Sequence, residues 1–213
     1  MRESGPHLFT HLLVIEDWGK RGADLQLAID RALLETTSLP VLRFYRWSSP
    51  CVTIGYFDSI KEAAERYPQI PIVRRWTGGG SVLHGTDAPY SLIVPRSEPF
   101  ASVRPCDSYR QIHEALAETL RDTVPNVVTA NECTPKKSSA CFDNPVRDDL
   151  VAGTCKIAGA GQRRTRLGFL HQGSIQIGTP HFSGALKFAA LLANTFEVAP
   201  LPELVEERAR RTQ

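Results

Sequence analysis

Residues 74–85 read RRWTGGGSVLHG: two arginines, an aromatic ring, a hydroxyl, three consecutive glycines, then Val82 and Leu83 before His84. Glycines in a row weaken any regular element, because each loses more backbone freedom on folding than another residue would. They are useful where the chain needs positive φ or no Cβ. Gly78, Gly79 and Gly80 therefore mark a place where backbone is brought against something: a ligand's carbonyl, phosphate or chain. Arg74 and Arg75 can offer planar forks to a phosphate or carboxylate, and Thr77 a hydroxyl. The plainer alternative is a tight hairpin between two strands, with both arginines solvated. The stretch fits neither the Walker pattern, which needs Gly-Lys-Ser/Thr, nor GxGxxG at a strand-to-helix turn.

Working outward, IPIVRRW leads into the glycines as a strand, and SVLHG and APYSLIVP leave them as two more, the second closed by Pro95. Upstream, DLQLAIDRALLET puts Leu25, Ala28, Ile29, Ala32 and Leu33 on one helical face behind an Asp24 cap. VLRFYRW and CVTIGYF read as two strands joined by a short turn, and IKEAAERY as a short helix ended by Pro68. Downstream, CDSYRQIHEALAETLRDT has Tyr109, Ile112, Leu116 and Leu120 at helical spacing, packed on the sheet and stopping before Pro125. After the irregular NECTPKKSSACFDNP come three strand-like pieces, DLVA, KIAGAGQRR and LGFLHQGSIQI. A last helix covers HFSGALKFAALLANTF, before a charged end over 200–213 that reads as a frayed helical tail. The order is neither a repeat nor a regular βαβ alternation. It predicts an α+β domain with a mixed, mainly antiparallel sheet flanked by helices.

The chain has 213 residues, enough for a single well-buried domain. Lys and Arg number 25 against 23 Asp and Glu, a net charge of +2. Apart from Arg74/Arg75, Lys136/Lys137 and Arg163/Arg164/Arg166, the basic residues are scattered, which argues against a dedicated nucleic-acid binder and leaves local anion binding open. No segment approaches the roughly 18 to 20 apolar residues of a membrane span, and the N-terminus has no signal-like apolar run. These features predict a cytoplasmic protein with no membrane partner. The five cysteines lack metal-finger spacing, which argues against structural zinc and a disulfide framework.

Three further places carry chemistry. Lys156 heads a strand followed by the small run Ala158-Gly159-Ala160-Gly161, so its ammonium can reach into a pocket beside that run; the alternative is a surface lysine on an edge strand. Cys141 sits in a polar loop near basic residues, where a thiol can act as a nucleophile, whereas Cys51 and Cys155 lie in apolar strands and read as small hydrophobes. His84 and His171 end or interrupt strands and read equally as site residues or as hydrogen-bonded structural histidines.

LRFYRWSSPCVTIGYF, RRWTGGGSVLHG, KIAGAGQRR and LHQGSI, in that order over about residues 24–195, resemble the lipoate-protein ligase and octanoyltransferase superfamily, related in fold to the biotin-protein ligases. The resemblance implies a single catalytic domain of that fold without the C-terminal accessory domain of many ligases. It also implies an acyl tunnel walled by the glycine loop and the Lys156 strand. Arg75 matches the arginine that contacts the activated acyl group, Gly80, Ser81, Val82 and Leu83 the backbone along the chain, and Lys156 the lysine near the reacting carbonyl. Substrate contacts are further implied for Thr77, Gly78, Gly79, His84, Gly159, Ala160 and His171. GTDAPYSLIV after His84 is similar to the LTYS segment of cysteine-dependent octanoyltransferases, and CFD, with Cys141 fifteen positions before Lys156, matches their nucleophile motif. That branch implies no cofactor, acyl carrier protein as donor, and as acceptor a lipoyl-domain protein, such as the glycine-cleavage H protein or a ketoacid dehydrogenase acyltransferase subunit. Asp58 stands where the branch has a glutamine in GYFQ. An ATP- and Mg-dependent lipoate ligase, or an acyl-binding subunit of a split ligase, are the alternatives.

Overall fold

The computed structural model describes residues 7–133, 138 and 140–212; Lys136 and Lys137 lie outside the described residues. Its larger sheet is built on β1 (Phe9–Arg21), which runs parallel to both neighbours, β2 (Val41–Trp47) and β11 (Ala193–Ala199). Beyond β2 the sheet continues through β6 (Ala88–Pro95), β10 (Gly168–Ile175), β9 (Cys155–Thr165), β8 (Leu150–Ala152) and β7 (Val127–Thr129), each antiparallel to the one before. A second, three-stranded sheet sets β3 (Cys51–Ile54) between β4 (Ile72–Arg74) and β5 (Val82–His84). The mixed, mainly antiparallel α+β expectation holds.

Period-two alternation divides the large sheet into two different faces. Leu12, Val14, Phe44, Leu92 and Phe169 point to one, under α3 (Pro105–Leu120) and α4 (Ala185–Leu192). Ile15, Val41, Ile93 and Leu170 point to the other, under α1 (Ala23–Thr36) and α5 (Glu203–Arg211). The small sheet has its own apolar cluster, Val52, Ile54 and Ala63, the last from α2 (Ile60–Arg66).

Several elements differ from the sequence reading. Strand β1 was not anticipated, because a strand between two parallel neighbours is buried on both faces and shows no alternation. Nor was the three-residue β7. The last helix stops at Leu192, and residues 193–199 become β11, because pairing with the open edge of β1 overrides helical preference there. The charged end is no frayed tail: α5 buries Val205 and Ala209 against α1, and Arg21–Glu206 and Arg208–Glu35 ion pairs fasten it. Strands β2 and β3 follow a short turn but belong to different sheets. Gly22, without a side-chain bond, occupies the cap position of α1, while Asp24 accepts from the Leu25 amide.

One polar cluster lies wholly inside. Arg43 of β2 donates to Asp30 of α1 and to Asp17 of β1, each at 2.7 Å, and also contacts the Gln26 side chain. Ser91 (2.5 Å) and Gln172 (2.7 Å) complete Asp30. Without Arg43, Asp30 keeps only the neutral donors Ser91 and Gln172 inside the protein, while Asp17 retains its ion pair with Arg21. Arg43→Leu should therefore cost about 3–5 kcal/mol of unfolding free energy. Urea denaturation measures it, and a loss under about 1 kcal/mol would show that the carboxylates find other partners.

Candidate active site

The glycine loop connects β4 to β5 of the small sheet and packs against β9 and β10 of the large one. The Arg75 amide bonds the Ile54 carbonyl, and the Tyr56 amide bonds that of Thr77, so the loop starts fixed to the end of β3. Arg75 then turns its side chain back on the loop. Its Nη2 reaches the carbonyls of Gly78 (2.7 Å) and Gly80 (2.8 Å), Nε shares Gly78, and Nη1 meets the Thr53 carbonyl and hydroxyl at 3.2 Å. Arg74 holds the next turn through the carbonyls of Gly55, Tyr56 and Asp58. Neither arginine is merely solvated. Nor is there a hairpin, since β3 separates β4 from β5.

The close approaches to the loop's backbone are made by glycines outside the triplet. Gly79 sits at φ +95°, and a Cβ on Gly161 of β9 would come within 2.5 Å of the Gly78 carbonyl. A Cβ on Gly55 would run into the Gly79 carbonyl. Thr77 is likewise engaged inside, donating to Gln172 at 2.9 Å.

Between the loop, the small sheet and the second face of the large sheet lies a cleft. Gly159, Ala160 and Gly161 form its wall on β9, Gln172–Ser174 on β10, and Tyr45 and Trp47 close it on β2. From the small sheet Val82 and His84 face in, and Leu27 of α1 meets them. Leu83, between them on β5, points outward and is 46% exposed. His84 contacts the Thr53 hydroxyl (2.8 Å) and the Asp87 carboxylate (2.6 Å), which also accepts from Ser174 (2.7 Å). Burial alone would raise the Asp87 pKa, but the His84 bond and charge outweigh it and hold it below the usual carboxylate value. His171 does not reach the cleft. Alternation turns it to the opposite face, where its ring lies among Tyr90, Tyr109 and His113 and burial holds its pKa well below normal.

Cys141 is brought in by main-chain bonding. Ala140 forms a bridge with Ser81, and the Cys141 amide donates to the Ser81 carbonyl at 2.8 Å, so the cysteine loop lies along the end of the glycine loop. There the Lys156 ammonium reaches the Cys141 carbonyl at 3.2 Å and its Sγ at 3.3 Å, and the Asp149 carboxylate at 2.7 Å. The side chains of Lys156 and Asp149 are 1% and 0% exposed. β9 has partners on both sides, so Lys156 is not on an edge strand. Asp149 also accepts from Tyr109 Oη (2.5 Å) and the Val146 amide (2.8 Å). Burial, with Asp149 adding to it, raises the Tyr109 pKa well above normal, so this phenol stays a donor. Burial lowers the pKa of Arg75, with the nearby Cys141 sulfur the largest opposing influence.

Beyond Cys141 a second, open groove runs between the turn before α2 and the glycine loop, lined by Asp58, Glu62, Gly79, Gly80, Ser81 and Lys156. Cys141 and Ala160 line both spaces. A thiol with a fixed cation thus stands where a mainly apolar cleft meets a polar groove.

Of the residues singled out in the sequence, the structure gathers Arg75, Val82, His84, Cys141, Gly159 and Ala160 on the cleft, and Gly79, Gly80, Ser81 and Lys156 on the groove. Thr77 and Gly78 support the loop from behind; Leu83 and His171 face away. Cys51 is buried, with its thiol pushed up to about 12 by burial, while Cys155, expected to be a small core residue, is exposed. The sequence reading passed over Asp149, Tyr109, Asp87 and Gln172. Tyr109 looked like one more position on a helix face, and Gln172 was hidden beside the more conspicuous histidine.

A family model described as the lipoyl protein ligase A/B catalytic domain matches residues 23–198. Octanoyltransferase LipM of Halalkalibacterium halodurans is 35% identical over 176 residues, covering 75% of this chain and 63% of that protein. Octanoyltransferase LipM of Bacillus subtilis is 34% identical with the same coverage. The chain thus spans less than two thirds of the length of these relatives. Among solved structures, a lipoate-protein ligase A bound with ATP superposes with a TM-score of 0.74 at 21% identity, covering 95% of this chain and 93% of that one. A bi-partite lipoate protein ligase from Thermoplasma acidophilum gives 0.67 at 19% identity, covering 96% and 92%. At such identities the likeness is one of fold.

Two outcomes follow from the geometry. The Lys156 side chain curls over Gly159, where a Cβ would lie 2.6 Å from its Nζ. Gly159→Ala should push the Lys156 ammonium off its acceptors at a cost in stability, and in protein that circular dichroism shows to be folded it should slow alkylation of Cys141 by iodoacetamide by roughly an order of magnitude; an unchanged rate would detach the ammonium from the thiol's reactivity. Burial also lowers the His113 pKa to about 4, against about 6.5 in an unfolded chain. As pH falls the unfolded chain takes up this proton first, so the stability that neutral His113 contributes is present above about pH 6.5 and lost progressively toward about pH 4. Urea unfolding of parent and His113→Gln across that range should show a shallower decline in the variant; parallel curves would assign the decline to other groups.

Proposed function

The chain belongs to the lipoyl protein ligase A/B catalytic-domain family, and on that premise we propose that it transfers an octanoyl group from a carrier-bound thioester to a lysine of a lipoyl-domain protein, through a thioester on Cys141. The observation that carries this is the 3.3 Å contact between Lys156 Nζ and Cys141 Sγ at the junction of cleft and groove. The cleft takes the hydrocarbon, and the groove opens Cys141 to the macromolecular substrates. The octanoyltransferase relatives support the acyl group and the reaction class.

In the first step the Cys141 thiolate attacks the thioester carbonyl, the new C–S bond forms, and the carrier's C–S bond breaks. The departing thiolate takes up a proton, and the Lys156 ammonium stabilises negative charge on sulfur and on the carbonyl oxygen throughout. In the second, the neutral amine of the acceptor lysine attacks the Cys141 thioester, the amide C–N bond forms, Cys141 leaves as thiolate, and the amine sheds its proton. Asp149 and Tyr109 hold the ammonium at one place through both steps. Exchange of thioester for amide is downhill and calls for no nucleotide. An ATP-dependent ligase would instead ask for cations directed at nucleotide phosphates, whereas Arg74 and Arg75 are turned onto backbone carbonyls. The donor, acyl carrier protein, and the acceptor are then soluble carriers and the reaction cytoplasmic.

The protein incubated with octanoyl-acyl carrier protein without ATP should acquire one octanoyl adduct, mapped to Cys141 by mass spectrometry. The adduct should be absent from Cys141→Ser and consumed when an unmodified lipoyl domain is added. An adduct that persists in Cys141→Ser, or transfer that begins only with ATP, would overturn the proposal.

A further inference from the structure

Among the described large apolar side chains Phe57 is the most exposed, at 90%. Ile60, about one helical turn further, is 57% exposed, and Tyr56 packs edge-on against the Phe57 ring at 5.0 Å. The exposure is not a matter of loose chain. The Asp58 amide bonds the Gly55 carbonyl, the Asp58 carboxylate accepts from the Gly55 amide, and the Ser59 hydroxyl caps α2 through the Glu62 amide. Arg74 ties down three carbonyls of the same turn. A turn fixed this firmly holds an aromatic ring in water with no gain inside the fold, which is how interface anchors are presented before a partner arrives.

This turn is also one bank of the groove that ends at Cys141. Asp58 and Glu62 are the ionisable side chains it contributes there. Lys61 and Arg66, on the same helix, do not line the groove, and Arg66 is paired with Asp143 at 2.8 Å. Charge separates the two macromolecules of the proposed reaction. The donor presents a neutral thioester, which these carboxylates do not attract. The acceptor brings a lysine ammonium, which they attract. Building on the octanoyl-transfer proposal, we infer that the bank from Tyr56 to Ala63 is the docking surface for the lysine-bearing acceptor domain, with Phe57 and Ile60 as anchors and Asp58 and Glu62 drawing the lysine toward Cys141.

The test reads binding and transfer separately. Calorimetric titration of an unmodified lipoyl domain into the full chain should give affinities about tenfold weaker for Phe57→Ser and for Ile60→Ser, and unchanged for Val198→Ser, an exposed site on β11. In turnover with octanoyl-acyl carrier protein, the same two variants should raise KM for the lipoyl domain and leave kcat near that of the parent. Asp58→Asn with Glu62→Gln should do the same in a manner that added salt abolishes. Equal affinities for parent, Phe57→Ser and Ile60→Ser, or a parent that does not bind the lipoyl domain, would overturn the docking surface even if Cys141 is acylated. Weaker binding of the carrier protein instead would make the donor the occupant and overturn it too. If the parent fails to acquire the octanoyl adduct, the transfer chemistry falls; lost lipoyl-domain binding in Phe57→Ser would still support the surface.

Discussion

The carbonyls of Gly78 and Gly80 converge on the buried guanidinium of Arg75, which also holds Thr53 of the small sheet. Carbonyls turned inward from an irregular loop need donors, because an unpaired buried backbone group costs as much as a lost hydrogen bond. One side chain meets the need for two of them, and in doing so fixes the path of the loop. That path puts Ser81 where the cysteine loop can bond to it, and so puts Cys141 beside Lys156. The loop passes between Gly55 and Gly161 with no room for a Cβ on either. Two glycines outside the triplet are therefore as much a part of the arrangement as those within it.

A lysine and an aspartate held almost wholly out of water need well-placed partners, and here both have several. The ammonium has three acceptors and the carboxylate has Tyr109, Val146 and Lys156 as donors. The outcome is directional. A single cation is locked toward one sulfur, and the small residues of β9 leave space beside it on both sides. The cleft on one side is closed by aromatic rings of β2, and the groove on the other is edged by carboxylates. The Cys141 sulfur thus faces both spaces.

Legibility followed local pattern. Strands β2 and β6 and helices α1 and α2 were readable to within a residue or two, and α3 to within three, from alternation, helical spacing and proline stops. Strands β1 and β11 were not, since each depends on an edge that the other supplies. Within the site, Cys141, Lys156 and the glycines stood out by residue type and spacing. His171 stood out for the same reason, yet its side chain faces the core beneath α3, and its neighbour Gln172 lines the cleft. A shift of one residue along a strand reverses the face, and no motif records which face is which.

By itself the sequence determined the kind of sheet, the presence of a loop that needs glycine, and a thiol and an amine able to react, because these rest on backbone freedom, periodicity and side-chain chemistry within a few residues. Tertiary structure alone decided that Arg75 would serve the loop's carbonyls, that Asp149 and Tyr109 would hold the lysine, and that Phe57 would stand exposed next to Asp58 of the groove. Each of those depends on partners from different elements meeting at distances of about 3 Å. Such meetings are set by packing of the two sheets and their helices, and packing is a property of the whole chain.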